Sequence, residues 1–532
     1  MRSSVLCSLL AVLAISVSDT DSYKILLIAP GLSNSQLILN YRFADLLGSR
    51  GHDVTVYLAH YHSTIDMKRK PKHAKLLIYN VSADFDSIME KMEEHLFEDI
   101  NPVQNIPNFL KWLDEFKMSC ERQITNQELL TKLKKENFDV AIGHMYDLCP
   151  LGLIKALNIS SYIWMSSGVL LDYMAWYGGV PSPASYVPNA MSSFGDRMTL
   201  AERFKNLIGV SIFHFMYRIT MANPYRELFR RHFGPEFPDV LEIAAKSPLI
   251  FVNSEELIDF PRPILHKVVY IGGIDTNQPE PLTKEWQDVM DNSKKGVILF
   301  SFGSVVNGAR MPAAWKTAFI KAFSRFPDYT IVWKYDGPLP EAAKVRNLKL
   351  TKWAPQKDMF GHPKMKAFIT HCGYNSFLEA ATNGVPMLAL PIFGDQLGNV
   401  KRAERHGVAV GLKKSDLTAE TIYNGLNEVL TNQNYSINAK RLSSMIKKKP
   451  VKADQLAVGW VEFLAEHKEL PNLQPVSAEM GVLEYFLIDV ALILFLGAIV
   501  ILFVVWIISQ CIFHRCCKKG GHSRKRTKSK RE

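Results

Sequence analysis

One stretch in the second half of the chain combines a short strand, a polar turn and a helix. Residues 366–370 are apolar and β-favouring, residues 371–376 are polar, and a helix is predicted over 376–383. Asn375 and Ser376 are residue types that cap helix N-termini. A helix start has free N–H groups and the positive end of the helix dipole, so the stretch predicts a phosphate site.

Five residues in and after this stretch suit a phosphorylated sugar. His371 can donate a hydrogen bond to a phosphate oxygen, and Gly373 lets the backbone approach a ligand closely. Glu379 can accept hydrogen bonds from two neighbouring hydroxyl groups. Asp395 and Gln396 follow the next predicted strand, at the carboxyl end where open α/β sheets bind ligands. An acid beside an amide suits sugar hydroxyls.

The same stretch, residues 353–407, closely resembles the signature of the UDP-glycosyltransferase family, which includes the UDP-glucuronosyltransferases. The shared pattern is W-x-P-Q, then H-x-G-x-N-S-x-x-E, then G-V-P and G-D-Q, within about fifty residues. An ordinary strand–helix unit would explain Ser376 and Gly384, but not the whole set. The resemblance implies an inverting sugar transfer from a UDP-sugar that requires no metal and no other cofactor.

The resemblance also implies roles for individual residues. Trp353 would stack on uracil and Gln356 would bond its edge. Glu379 would bind the ribose, and Asp395 with Gln396 would bind the transferred sugar. The pyrophosphate would be held by five residues: Ser304, His371, Gly373, Asn375 and Ser376.

The catalytic base is where the sequence departs from the family. The family usually has Ser-His in the loop after the first strand, and this chain has Ser35-Gln36. His144 occupies the position of the family's partner carboxylate. Our hypothesis is that His144 takes the acceptor's proton, oriented by Gln36 or helped by Asp147. Two alternatives stay open: His144 has only a packing or hydrogen-bonding role, or the acceptor is an amine or thiol that depends less on a general base.

Two series of strands and helices predict an α/β fold. It is GT-B-like, with two doubly wound Rossmann-like domains facing a cleft, plus a C-terminal transmembrane helix. The expected boundaries are a signal peptide over 1–22, an acceptor-binding domain over 23–274, a linker over 275–285, a UDP-sugar-binding domain with a return helix over 286–470, a transmembrane helix over 485–511 and a basic cytoplasmic tail over 512–532.

Both ends of the chain carry targeting features. An apolar run near the N-terminus, residues 5–17, predicts a secretory signal. The uncharged segment 490–508 is long enough to cross a bilayer, and the basic residues after it predict a cytoplasmic tail and lumenal catalytic domains. Lys528 and Lys530 resemble a dilysine retrieval signal. The expected location is the endoplasmic reticulum membrane, as a single-pass type I protein.

Charge and cysteine content narrow the possible partners. The formal net charge is +11, but residues 514–532 carry +8 of it, so the folded part gives no reason to expect nucleic-acid binding. Cys120, Cys149 and Cys372 do not form a disulfide framework by number or spacing, and no metal-ligand spacing occurs. Three N-x-S sequons predict a glycoprotein; they begin at Asn80, Asn158 and Asn434.

The leading function is therefore transfer of a hexose or hexuronate, glucuronate or glucose, to a small lipophilic acceptor, as in detoxification or conjugation. The alternative is a catalytically silent lumenal protein that binds a UDP-sugar, because the usual histidine is replaced by Gln36. A sugar-nucleotide epimerase fits less well, since no G-x-G-x-x-G follows the first strand. The expected partners are the two substrates and the membrane, and a homo-oligomer is possible.

Overall fold

The computed structural model describes residues 22–82, 84–98, 106–274, 279–303 and 306–522. The expected signal peptide up to Asp21, the first four linker residues, Ser304 and the tail from residue 523 lie outside the described residues. The chain up to Gln474 forms one compact unit, and the chain from Pro475 forms a second.

The first half of the compact unit contains a parallel seven-stranded sheet. Its spatial order is β3-β2-β1-β4-β5-β6-β7, so the strand order reverses between β1 and β4. The strands are β1 (Lys24–Gly31), β2 (Asp53–His60), β3 (Lys75–Asn80), β4 (Val140–His144), β5 (Tyr162–Ser166), β6 (Leu249–Val252) and β7 (Val268–Tyr270).

The second half contains a parallel six-stranded sheet. Its order is β10-β9-β8-β11-β12-β13, which again reverses, between β8 and β11. The strands are β8 (Gly296–Ser301), β9 (Tyr329–Lys334), β10 (Leu348–Thr351), β11 (Met365–Thr370), β12 (Met387–Ala389) and β13 (Ala409–Gly411). Both sheets are doubly wound, and the predicted GT-B-like α/β architecture is confirmed.

Helices connect the strands and cover both faces of each sheet, so the central strands are buried and read as continuous apolar runs. In the first half they are α1 (Asn34–Ser49), α2 (Phe85–Glu94), α3 (Ile106–Thr125), α4 (Gln127–Lys135), α5 (Cys149–Ala156), α6 (Asp172–Tyr177), α7 (Leu200–Tyr217), α8 (Asn223–Phe233) and α9 (Val240–Ala245). A π-helical turn, Arg218–Ala222, joins α7 to α8.

The helices of the second half continue the same numbering. They are α10 (Lys284–Asp291), α11 (Ala313–Phe323), α12 (Gln356–Phe360), α13 (Tyr374–Asn383), α14 (Gln396–Arg405), α15 (Ala419–Thr431), α16 (Gln433–Lys447) and α17 (Ala453–His467). As predicted, α17 returns to the first domain. Its residues Ala457, Val461 and Leu464 are fully buried in the same core as Ile25 and Leu27 of β1.

Two buried contacts join the domains close to the predicted site. The Tyr374 hydroxyl, at the start of α13, lies 2.6 Å from Ser254 Oγ and accepts from the Glu255 N–H at 2.8 Å. Arg402 of α14 donates through Nε to Asp259 Oδ1 at 2.6 Å, and both side chains are buried. The first domain thus contacts both helices that carry the predicted sugar-nucleotide residues.

Two local expectations need correction. Helix α1 begins at Asn34, with the Ser33 side chain accepting from the Gln36 N–H, so Gln36 lies in the first helical turn and not in a loop. Cys120 and Cys149 form a disulfide that joins α3 to the start of α5. The sequence count missed this bridge because the 29-residue separation carries no local signal.

The second unit contains two helices, α18 (Val482–Tyr485) and α19 (Ile488–His522). Within Ile488–Cys517 of α19, the most apolar stretch of 18 residues has a mean hydropathy of 3.2, and none of that stretch is buried. By length and composition this helix can cross a membrane, which fits the predicted single anchor.

The disulfide makes a testable contribution to stability. Replacing Cys120 with Ser should lower the melting temperature. The bridge reduces the conformational entropy of the unfolded chain, which for a loop of this size stabilises the folded state by about 3 kcal/mol. Thermal unfolding with and without reductant measures the effect, with Cys516→Ser, which removes an exposed free thiol, as the control. Equal melting of Cys120→Ser and the unchanged protein would contradict the prediction.

Candidate sugar-nucleotide site

The start of α13 presents backbone N–H donors toward the predicted phosphate site. Gly373 is the N-cap, and no side chain of the described residues caps the first turn. The sequence expectation of a capping Asn375 or Ser376 is wrong, because both lie inside the first turn. A glycine cap has no side chain to compete for these N–H groups, so the first amides of α13 are free for an anion.

The His371 ring packs tightly against two glycines. A Cβ built on Gly303 would lie 2.8 Å from the ring, and one built on Gly373 would lie 2.6 Å from Nε2. His371 Nδ1 is buried and has no hydrogen-bond partner among the described residues. Burial, followed by the charge of Lys334, lowers the pKa of His371 to about 4. The imidazole is therefore neutral at physiological pH, with one ring nitrogen available to a ligand.

Three residues line the predicted nucleoside side of the site. The Trp353 side chain is 63% exposed and can stack on a planar base. Gln356 Nε2 donates to Glu379 Oε2 at 2.8 Å and to Ser376 Oγ at 3.3 Å. Burial raises the pKa of Glu379, and the bond from Gln356 opposes that shift. The structure thus brings Gln356, at the start of α12, to Ser376 and Glu379 on the first turns of α13.

Asp395 and Gln396 lie after β12, as expected, but they differ in their contacts. Asp395 Oδ2 accepts from Asn399 Nδ2 at 2.8 Å, and burial raises the pKa of Asp395 while that bond and Arg402 oppose the shift. Gln396 Oε1 accepts from the N–H groups of Ile392 and Phe393, so this oxygen shapes the loop. A sugar would therefore meet the Gln396 amide through Nε2.

Among the residues predicted for the acceptor side, His144 is buried and hydrogen-bonded at both ring nitrogens. Nε2 lies 2.6 Å from Asn40 Oδ1, and Nδ1 lies 3.0 Å from Ser167 Oγ. Asn40 Nδ2 donates to the Gln36 carbonyl, which leaves Oδ1 as the acceptor from His144. This assigns the proton of His144 to Nε2 and makes Nδ1 the acceptor from Ser167. Burial lowers the pKa of His144 to about 3.

The structure does not bring the Gln36 side chain to His144. Gln36 Nε2 donates instead to the Tyr146 hydroxyl, and Gln36 Oε1 is buried without a partner among the described residues. Ser167 is a hydrogen-bond partner of Tyr146, and the nearby Asp395 carboxylate also affects the pKa of Tyr146. Tyr146 therefore links the His144 network to the side of the cleft that carries Asp395.

Asp147 and His144 line the same small pocket, near the carboxyl ends of β1 and β4. Its Oδ1 accepts from the Cys149 N–H at 3.0 Å, and its Oδ2 accepts from the Tyr61 hydroxyl at 3.4 Å. Burial raises the pKa of Asp147 to about 7, against the smaller effect of these bonds. Asp147 is thus a second titratable group on the acceptor side.

Sequence reasoning missed five residues of these networks: Asn40, Tyr146, Ser167, Lys334 and Asn399. Lys334 ends β9, and a cation at the carboxyl end of a parallel strand is a signal that could have identified it. In the described part of the chain no cluster of three His, Cys, Asp or Glu residues could hold a metal ion. The expectation of a metal-free site stays a prediction, and Ser304 lies outside the described residues.

The close packing of Gly373 on His371 predicts the effect of one added methyl group. Gly373→Ala should weaken binding of UDP about tenfold or more, because forcing such atoms apart costs about 1–3 kcal/mol. Isothermal titration with UDP measures it. The control is Gly459→Ala on α17, where an added Cβ meets nothing within 4 Å. Equal UDP affinity in the two variants would contradict the packing described.

Comparisons with known proteins agree with this geometry. The family model of UDP-glucoronosyl and UDP-glucosyl transferase matches residues 24–526. Mouse UDP-glucuronosyltransferase 1A7 is 35% identical over 406 residues, which are 76% of this chain and 74% of that protein. Human UDP-glucuronosyltransferase 1A5 is 31% identical over 530 residues, which are 97% of this chain and 96% of that protein.

A solved structure supports the fold independently. Phytolacca americana UGT2, in complex with UDP-2-fluoro-glucose and pterostilbene, superposes with a TM-score of 0.56 at 15% identity, covering 84% of this chain and 100% of that one. At this identity the likeness concerns the fold alone. Together with the family match over nearly the whole chain, it leads to one conclusion: the chain belongs to the UDP-glucuronosyl and UDP-glucosyl transferase family and is a glycosyltransferase.

Proposed function

We propose that this enzyme transfers a hexose or hexuronate from a UDP-sugar to a small lipophilic acceptor, with inversion at the anomeric carbon. The observation that carries the proposal is the uncapped start of α13 beside the unpaired Nδ1 of His371. The names of the relatives favour glucuronate over glucose.

The proposed sugar-nucleotide roles are those that the family resemblance implies, and the positions of the side chains are compatible with them. Trp353 stacks on uracil, Gln356 bonds its edge, and Glu379 accepts from the ribose hydroxyls. The amides of Asn375 and Ser376 bind the diphosphate together with His371. Because these groups are fixed before the reaction, they stabilise negative charge as it develops on the leaving UDP. We propose that these residues act without a metal, as the family resemblance implies.

Asp395 binds hydroxyls of the transferred sugar in this proposal, and Gln396 assists through Nε2. The carboxylate is oriented by Asn399, so one oxygen is fixed and the other is left for the ligand. The competing possibility, a catalytically silent protein that binds a UDP-sugar, is motivated by Gln36 in place of the family's histidine. The retention of an oriented Asp395 favours transfer.

His144 is the proposed proton acceptor, through Ser167. Asn40 fixes the proton on Nε2, so Nδ1 faces the Ser167 hydroxyl. As the acceptor oxygen attacks the anomeric carbon, its proton moves along Tyr146 and Ser167 to Nδ1, and each hydroxyl gives up one proton and gains another. The low pKa of His144 keeps Nδ1 unprotonated at physiological pH, although burial also disfavours the charged product.

The proposed location is the endoplasmic reticulum membrane, with the catalytic domains lumenal. A disulfide between Cys120 and Cys149 suits an oxidising compartment. The three sequon asparagines, at 80, 158 and 434, are exposed and open to glycosylation. The apolar helix Ile488–Cys517 serves as the single anchor.

Turnover with two sugar donors tests the proposed function. Purified protein should release UDP from UDP-glucuronate faster than from UDP-glucose when a panel of phenols and amines is supplied. Asp395→Asn should lower that rate at least about tenfold while UDP still binds, because one charged sugar contact is lost. Asp288→Asn, an exposed change on α10, is the control. Binding of UDP without turnover of either sugar, across the whole panel, would support the silent alternative.

The pH dependence distinguishes the two candidate bases. A base must be unprotonated, so activity rises as pH passes upward through its pKa. With His144 as the base, kcat for a phenol should stay nearly flat between pH 5 and 9, since its pKa of about 3 lies below that range. A rise in kcat near pH 7 that is absent in Asp147→Asn would instead identify Asp147 as the base.

The His144 assignment has its own variant. His144→Ala should collapse turnover of a phenol while UDP binding is unchanged, because the residue lies on the acceptor side of the cleft. Unchanged phenol turnover would contradict the assignment. Turnover restricted to amines in the unchanged protein would also contradict it, and would indicate acceptors that need little help from a base.

A further inference from the structure

Lys334 is a cation at the sugar-nucleotide site that the family signature did not include. It is the last residue of β9, at the carboxyl end of the second sheet. Its Nζ donates to the Gly303 carbonyl at 2.6 Å and lies 5.9 Å from the centre of the Trp353 ring. It is also close enough to His371 for its charge to lower the pKa of that imidazole. Lys334 therefore lies among groups assigned to the diphosphate and to uracil.

Among the described residues, no carboxylate lies within 4 Å of the Lys334 ammonium group, so no ion pair there neutralises its charge. The ammonium group is half-buried and bonded to a carbonyl. Burial lowers the pKa of Lys334, and the more distant Asp336 only partly opposes this shift. A partly desolvated cation without a counter-ion is unfavourable on its own, and an incoming anion relieves that cost.

His371 does not carry this positive charge in the ligand-free protein. Burial and the nearby Lys334 lower the pKa of His371 to about 4, so the imidazole meets the diphosphate as a neutral hydrogen-bonding group. The amides of α13 provide only partial charges. A bound UDP-sugar carries two negative charges on its diphosphate, and these exceed what neutral donors balance in a partly buried site.

We propose that Lys334 binds the diphosphate of the UDP-sugar and supplies the positive charge that stabilises UDP as it leaves. This inference rests on the proposed function and adds a residue to it. When the bond between the anomeric carbon and the β-phosphate oxygen breaks, that oxygen keeps the electron pair and the diphosphate gains one negative charge. The new charge develops beside Lys334, while the acceptor's proton goes to the base on the opposite side of the sugar.

A purely structural role for Lys334 is the competing explanation. Its bond to Gly303 could simply hold the turn after β8, and then its removal would disturb the whole site. Binding of uridine, UMP and UDP separates the two roles, because the three ligands share the base and ribose and differ in their phosphates. An effect confined to the phosphates requires a charge contact.

The experiment uses full-length protein in detergent or nanodiscs and isothermal titration with uridine, UMP and UDP. Lys334→Met should weaken UDP binding about tenfold or more, the range for loss of a charge-assisted contact. Uridine binding should change less than about twofold, and Lys334→Arg, which keeps the charge, should recover most of the UDP affinity. Added salt should weaken UDP binding less in Lys334→Met than in the unchanged protein.

The chain offers a matched control in Lys349. This strand lysine also lies over a tryptophan, 5.0 Å from the centre of Trp286, but it is paired with Glu285 and lies on β10. Lys349→Met should leave the affinity for all three ligands unchanged.

Two results would overturn the inference. Unchanged UDP affinity in Lys334→Met excludes the charge contact, and equal loss of uridine and UDP affinity indicates that Lys334 only holds the turn. Both results leave the proposed function intact, because the unchanged protein still binds UDP. Failure of the unchanged protein to bind any of the three ligands would overturn the proposed function and this inference together.

Discussion

The start of α13 is the constraint on which the rest of the site depends. The chain leaves β11 and reverses at Cys372, which has a left-handed backbone with φ of 63°. The turn places His371 against Gly303 and Gly373 and points the first amides of the helix outward. A Cβ on either glycine would clash with the His371 ring. A capping side chain at residue 373 would also occupy the N–H donors that the proposed diphosphate needs. Glycine is thus required there by packing and by hydrogen bonding.

The site also depends on both domains. Tyr374 fixes the first residue of α13 to Ser254 and Glu255, and Arg402 fixes α14 to Asp259. Because these partners are buried, a shift between the domains would break hydrogen bonds that water could not readily replace. The residues proposed to hold the sugar nucleotide are therefore positioned in part by contacts with the first domain.

How much of this follows from the sequence depends on whether the interaction is local. The strand–turn–helix unit around His371 was predictable, since its residues lie within about fifteen positions and their types match the chemistry of a phosphate. The N-cap residue was not predictable, because Gly373, Asn375 and Ser376 are all acceptable N-cap residues. The turn at Cys372 fixes where the helix begins. The partners of His144 lie 104 and 23 residues away, and no local pattern identifies Asn40 or Ser167. Lys334 likewise reaches Gly303 only through the pairing of β8 with β9.

A structure of the protein with UDP bound tests the central claim most directly. The account predicts the diphosphate within hydrogen-bonding distance of the first amides of α13 and of His371, with uracil stacked on Trp353. Binding of UDP with its diphosphate away from the start of α13 would contradict the account.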